Sequence, residues 1–536
     1  MAPTREELLS LARGLSFEIP EHEIEDYEML LARMEKTLET VAAMDGKCCT
    51  FCSEPQFANY HADYQPEPDQ TTSPRQNIHF PQAADNPLGA WAWRFELSSN
   101  SPSSDILQGK TFCLKDNICV AGVPCLLGTD TFRDWIPRTD ATVATRIIEA
   151  GGIITGKAVC ENLSRGAVSS SAATGPVHNP YARGYSVGGS SSGTAAVVAS
   201  GGADMGIGCD QGGSIRIPAA LAGLYGLKPT AGLVPYTGIA SNDASLDYVG
   251  PITTTCLDNA LLLEAIAGAD GLDDRSGPGI PFPKDVPRYS RLIKQNAAAG
   301  IEGLKIGVLK EGVPADIDPN VEKRFRDAVI VFEKLGASVQ EVSVPLHAHG
   351  RGVYSVLSKM GNHMGMMGRA TGRRQAMLTD LYEKKGLPYT PEVVSKMSVM
   401  SKEGLLSGEF AWQRYATVYP KAANIMRKLK DLYDDVLSSV DVIVMPTTLS
   451  PANRLPVVDA KPVVQMEAAK GKTENTCSFN ATGHPALAMP IGFVPAKEDV
   501  NTKLPASMQI VGRWHDELTI LRAAYAWEQS INWKEF

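Results

Sequence analysis

Two clusters of small residues, "GGSSSG" at 188–193 and "DQGGSIR" at 210–216, lie one short helix apart in the chain. Glycine weakens a packed core and serine adds little to one, so the pattern asks for a chemical explanation. Acyl transfer is one: it needs a nucleophile, a proton shuttle, a base and donors for a developing oxyanion. Ser214 is the candidate nucleophile. The backbone N–H groups of Gln211, Gly212 and Gly213 are candidate oxyanion donors, because two adjacent glycines open backbone angles that let neighbouring amides converge. In the first cluster Ser190 is the candidate shuttle. Gly189 and Ser191 flank it and join the candidate oxyanion and substrate contacts. No histidine lies within either cluster. Lysine can serve as base where burial lowers its pKa towards neutrality. "CLKDN" puts Lys115 at the polar end of an expected strand, where functional groups often sit. On the residues alone the base stays open, since most lysines at strand ends are solvated.

Other motif readings explain less. Residues 189–193 fit G-x-S-x-G, the nucleophile elbow of α/β-hydrolases, but that motif follows a buried strand. Here the polar, turn-like "HNPYARGYSV" precedes it; His484 offers a base but no acid is placed with it. A phosphate loop needs a lysine that the segment lacks. Cys48, Cys49 and Cys52 cluster with His61 nearby, yet no second pair follows at zinc-like spacing, so reduced structural thiols are expected rather than a metal. His347 and His349 read as a solvated loop. Asp210 and Arg216 are expected to tie down the nucleophile's loop rather than to touch substrate.

From about 108 to 495 the sequence resembles the amidase signature family. "KDN", "GGSSSG", "DQGGSIRIPAA" and "GLKPTAGLVPYTG" follow in the family's order, and "VGPITTT", "IAGADGLDDRS", "VDVIVMPT" and "FNATGHPALAMPIGF" are family-like downstream. Ser190 follows Lys115 by 75 residues and Ser214 follows Ser190 by 24, as in the family's Ser–cis-Ser–Lys triad. The resemblance implies an α/β/α sandwich around a mixed central sheet. It implies Lys115 as terminal base, Ser190 as bridge behind a cis Gly189–Ser190 bond, and Ser214 as the acylated nucleophile. It implies a small-molecule amide as substrate and no metal or organic cofactor. Gln211 before the two glycines is similar to broad-specificity bacterial and fungal amidases, some of which carry a helical N-terminal extension and dimerise, so a homodimer is expected. Two rivals are a transamidase subunit that needs a partner and a catalytically silent binding protein.

The elements that must position these residues are legible in outline. Thr4 to Glu7 is a T-x-x-E capping box opening a first helix. Pro20 fits the first turn of a second helix, on which Ile24, Tyr27, Leu31, Met34, Leu38 and Val41 form one apolar stripe. Residues 1–70 are expected to be a helical extension and 71–536 the catalytic domain. Residues 60–105, rich in Pro, Asn, Gln and Ser, read as an extended surface connector. Beyond them strands alternate with helices: "GKTFCLKDNICV", "LKIGVLK", "ASVQEVSV" and "VDVIVMPT" are strands, and a helix with Val321, Phe325, Ala328, Phe332 and Leu335 on one face ends at Gly336. Such alternation indicates an α/β layered fold. A helical, Met-rich insertion is expected at about 346–430. Pocket residues are expected from it and from the loop around 445–480.

Bulk composition sets the outer limits. The chain has 536 residues, 43% hydrophobic and 21% charged, with a net charge of −9. No basic block recommends nucleic acid as a partner. No apolar run approaches the roughly 18–20 residues of a membrane helix, and "MAPTREELLS" lacks the apolar core of a secretory signal. A cytoplasmic location is expected, with no membrane partner.

Overall fold

Strands form where β-branched and apolar residues alternate or run together between turn residues. In chain order they are β1 (Arg75–His79), β2 (Trp91–Leu97), β3 (Thr111–Lys115), β4 (Ile153–Ala158), β5 (His178–Asn179), β6 (Ala182–Ser186), β7 (Met205–Asp210), β8 (Tyr225–Lys228), β9 (Tyr248–Thr253), β10 (Lys305–Leu309), β11 (Ser338–Val342), β12 (Val442–Pro446), β13 (Ala486–Pro495) and β14 (Lys503–Gly512). The computed structural model describes residues 4–42, 68–296, 300–385, 389–457 and 459–536. Cys48, Cys49, Cys52 and His61 fall outside them.

The chain divides into two units, Met1–Pro66 and Glu67–Phe536. In the first, Thr4 caps helix Arg5–Gly14 through a complete capping box with Glu7. Pro20 precedes a short 3₁₀ turn at Glu21–Glu23, and helix Ile24–Ala42 follows. Leu8, Ala12 and Ile24 are buried, whereas Tyr27, Met34, Leu38 and Val41 of the expected stripe are exposed.

In the second unit twelve strands form one mixed sheet, ordered β1-β2-β4-β3-β7-β9-β8-β13-β14-β12-β10-β11; β5 and β6 pair separately. β3 lies parallel between β4 and β7, and β10 lies parallel between β11 and β12. Strand periodicity sends alternate residues to opposite faces. Phe112 and Leu114 of β3 join a core that includes Ile147, Leu263, Phe325 and Leu521 from covering helices. Cys113 faces the other way, into a core with Ala195, Val198 and Ala219. Ile443 and Met445 join Leu357, Leu429 and Tyr433 in a further core on helices His347–Met366 and Val418–Leu437. Helices therefore cover both faces of the mixed sheet. No described helix is long and apolar enough to cross a membrane.

Three expectations fail locally. Residues 68–105 are more than a connector: β1 and β2 add two antiparallel strands, and Trp91, Phe95 and Leu97 are buried. "HNPYARGYSV" holds the small β5–β6 hairpin rather than turns alone. His347 is not in a solvated loop. It opens helix His347–Met366, is buried, and shares hydrogen bonds with Tyr433 Oη (2.6 Å) and Asn475 Oδ1 (3.1 Å).

Candidate active site

Three short segments meet at the ends of parallel strands β3 and β7. β3 ends on Lys115, which is 1% exposed. Its Nζ donates to Ser190 Oγ at 2.8 Å and to the Cys209 carbonyl at 3.4 Å. Ser190 is equally buried, and the Gly189–Ser190 peptide is cis. A Cβ at Gly189 would sit 2.1 Å from the Val168 carbonyl oxygen, so only glycine fits there. Ser191 joins this turn to the end of β7: its Oγ donates to the Cys209 carbonyl (3.1 Å) and accepts from the Cys209 N–H (3.2 Å). Ser191 N–H also donates to the Ser214 carbonyl at 3.3 Å, which brings the two clusters together. Ser191 is thus a clamp between loops.

Below the turn lies a group that the residue pattern did not single out. Glu161, fully buried, accepts from Ser192 Oγ (2.9 Å), Ser171 Oγ (2.5 Å) and Ser171 N–H (2.8 Å), while its own N–H donates to the Ser190 carbonyl (3.1 Å). Burial pushes its carboxyl up to about 7, against the hydrogen bonds from Ser171 and Ser192.

The loop after β7 is tied down by charge. Arg216 makes a two-pronged contact with Asp210, Nε to Oδ2 and Nη2 to Oδ1, both at 3.0 Å. Both side chains are fully buried. Burial opposes the charge on Asp210, but Arg216 and the Asn480 amide hold its carboxyl well below the usual range. Asp210 and Arg216 therefore brace the loop, as expected. One expected role does not survive: the Gly213 N–H donates to Asp210 Oδ1 at 2.6 Å, so it is not available to an oxyanion in this conformation. The amides of Gln211 and Gly212 remain as candidates.

Two distant residues fix this loop from the other side. Tyr354 Oη donates to the Gln211 carbonyl (2.8 Å), and Thr476 Oγ1 donates to the Gly212 carbonyl (2.6 Å). A Cβ at Gly213, whose φ is +133°, would lie 2.4 Å from Thr476 Oγ1. Tyr354 and Thr476 fall in the two regions expected to line the pocket, but no local signal marked them individually.

Ser214 is half-buried and opens, with Gln211 and Gly212, onto a cavity of about 190 Å³. Its other walls include Arg165, Tyr354, Met400 and Thr473. His484 pairs instead with Asp434 at 3.0 Å and does not line this cavity. Among the described residues no group of three or more His, Cys, Asp or Glu side chains is placed to hold a metal ion.

Comparison with known proteins identifies the family. The Amidase family profile matches residues 87–521. The chain belongs to the amidase family. Like its relatives it is an enzyme that acts on amides. This amidase is 35% identical over 463 residues to an enantioselective amidase of Rhodococcus rhodochrous, covering 84% of this chain and 85% of that one. It is 35% identical over 428 residues to a glutamyl-tRNA(Gln) amidotransferase component of Exiguobacterium sibiricum, covering 79% and 84%. Among solved structures it resembles native peptide amidase from Stenotrophomonas maltophilia, with a TM-score of 0.62, 26% identity, and 79% and 82% of the two chains covered.

Proposed function

We propose that this amidase hydrolyses carboxamides through an acyl-enzyme on Ser214, with Ser190 as proton bridge and Lys115 as base. The observation that carries the reading is the buried 2.8 Å hydrogen bond between Lys115 Nζ and Ser190 Oγ, on a turn bonded to Ser214, the residue that faces the cavity. Lys115 Nζ accepts a proton from Ser190 as Ser190 accepts one from Ser214. Ser214 Oγ then attacks the carbonyl carbon. The oxyanion is met by the Gln211 and Gly212 amides, each such donor contributing about 3 kcal/mol in the transition state. As the C–N bond breaks, Ser190 returns a proton to the leaving amine. Water hydrolyses the ester by the same relay, releasing the acid and regenerating Ser214.

The test is ammonia release by the purified chain from a panel of simple amides, without ATP or partner. Turnover supports the reading; an inert chain that becomes active only with a partner, ATP and glutamyl-tRNA sinks it. That second outcome would fit the relatives that are amidotransferase components. We further read the protein as a cytoplasmic homodimer. Seven described cysteines are unpaired and buried, which suits a reducing compartment, and the exposed apolar side chains of helix Ile24–Ala42 supply a surface for a second copy. Light scattering of the purified chain tests the dimer.

A further inference from the structure

The cavity that Ser214 faces is lined by three cations and one carboxylate: Arg165, Arg351, Lys359 and Glu403. Lys359 pairs with Glu403. Arg351, exposed at its end of the cavity, pairs with Glu474 at 3.4 Å. Arg165 is the cation left over. It follows the turn Asn162–Ser164 at the end of β4, and the whole residue is 9% exposed. Among the described residues its guanidinium has no carboxylate partner; its one hydrogen bond runs from Nη1 to Met366 Sδ at 3.1 Å, and a thioether is a weak acceptor. Helix Val399–Tyr415 closes over it at Gly404, where a Cβ would come within 2.3 Å of Nη2.

A buried charge without a counter-ion is costly, and side chains in such places are normally paired. Burial draws the Arg165 pKa down to about 10, which still leaves the group charged at neutral pH. The planar guanidinium presents a fork of donors that matches a carboxylate in two-pronged fashion. The missing partner belongs on the ligand, because the uncompensated guanidinium and Ser214 line the same space.

We propose that Arg165 anchors a carboxylate carried by the amide substrate, so that the preferred substrates are anionic amides such as monoamides of short dicarboxylic acids or N-acyl amino acids. This rests on the reading in which Ser214 is the nucleophile. The size of the cavity favours short substrates.

The experiment compares kcat/KM within two near-isosteric pairs: glutaramate against 5-methylhexanamide, and hippurate against N-isobutylbenzamide. The first pair places the charge on the acyl side and the second on the amine side. In at least one pair the anionic member is favoured by about tenfold to a hundredfold, the value of a charge-assisted contact. Arg165→Met abolishes that preference, and Arg165→Lys, which keeps the charge but not the fork, weakens it. Preference for the neutral member in both pairs, or a ratio unchanged by Arg165→Met, overturns the anchor; the wild-type ratio decides even if the variants do not fold. If no amide is turned over at all, the amidase reading has failed and calorimetry with glutarate decides the anchor separately. Glutarate binding that is lost in Arg165→Met supports it, and absence of binding to the wild-type chain overturns it.

Discussion

Two neighbouring strand ends each carry a buried lysine. β4 places Lys157 with its Nζ 3.1 Å from Asp116 Oδ1, and both side chains are fully enclosed. β3 places Lys115, one residue before that aspartate, with a hydroxyl and a carbonyl as partners and no carboxylate among the described residues. Burial works against a charged Lys157, but the Asp116 carboxylate outweighs it and holds the amine in its charged form, well above the ordinary lysine range. An amine locked into an ion pair supports structure. An amine held only by a hydroxyl and a carbonyl is the one the proposed relay uses. Asp116 turns to Lys157, and Lys115 is left to the Ser190 hydroxyl.

The contrast can be broken in several ways. Lys115→Ala should cut amide turnover by between about a hundredfold and ten-thousandfold, the range for loss of a general base, with little change in thermal midpoint. Lys157→Met should instead cost about 3–5 kcal/mol in stability, because Asp116 is left buried and unpaired; denaturant melts read it. If the folded Lys157 variant lost turnover as fully as the Lys115 variant, the division of labour would be wrong.

A third test concerns the carboxyl under the serine turn. The folded-state pKa of Glu161 is raised from 4.5 to about 7, so its contribution is present below about 4.5 and is lost as pH rises through 7. Wild-type stability should fall over that window by on the order of 3 kcal/mol relative to Glu161→Gln. Parallel stability–pH curves for the two proteins would remove Glu161 from the account. The smallest expected effect lies on the far wall. Tyr354→Phe loses one hydrogen bond to the Gln211 carbonyl, which should cost about 1 kcal/mol of stability and lower kcat/KM several-fold.

What the chain revealed before its structure divides along the same lines. Residues whose partners are close in sequence, or whose motif is dense, were readable: the glycine and serine turns, the strand ending on Lys115, and the helix Pro319–Lys334 with Val321, Phe325, Ala328 and Phe332 buried. Asp210 and Arg216 could be read as a loop tie because they lie only six positions apart. β2 was missed although Trp91, Trp93, Phe95 and Leu97 alternate, because the surrounding Pro and Ser residues pointed to a connector. Tyr354, Thr476 and the pairing of Lys157 with Asp116 carry no local mark; each depends on contacts that only the folded sheet creates. The Gly213 N–H went astray for a related reason. Two glycines can aim an amide in many directions, and the Asp210 carboxylate decides which.

The most direct test is to quench the enzyme with acid during turnover of a slow amide and map the covalent product by mass spectrometry. A mass increase equal to the acyl group on the peptide containing Ser214, absent from Ser214→Ala, is the predicted result. An acyl group on any other residue, or Ser214→Ala hydrolysing the amide at the wild-type rate, would contradict it.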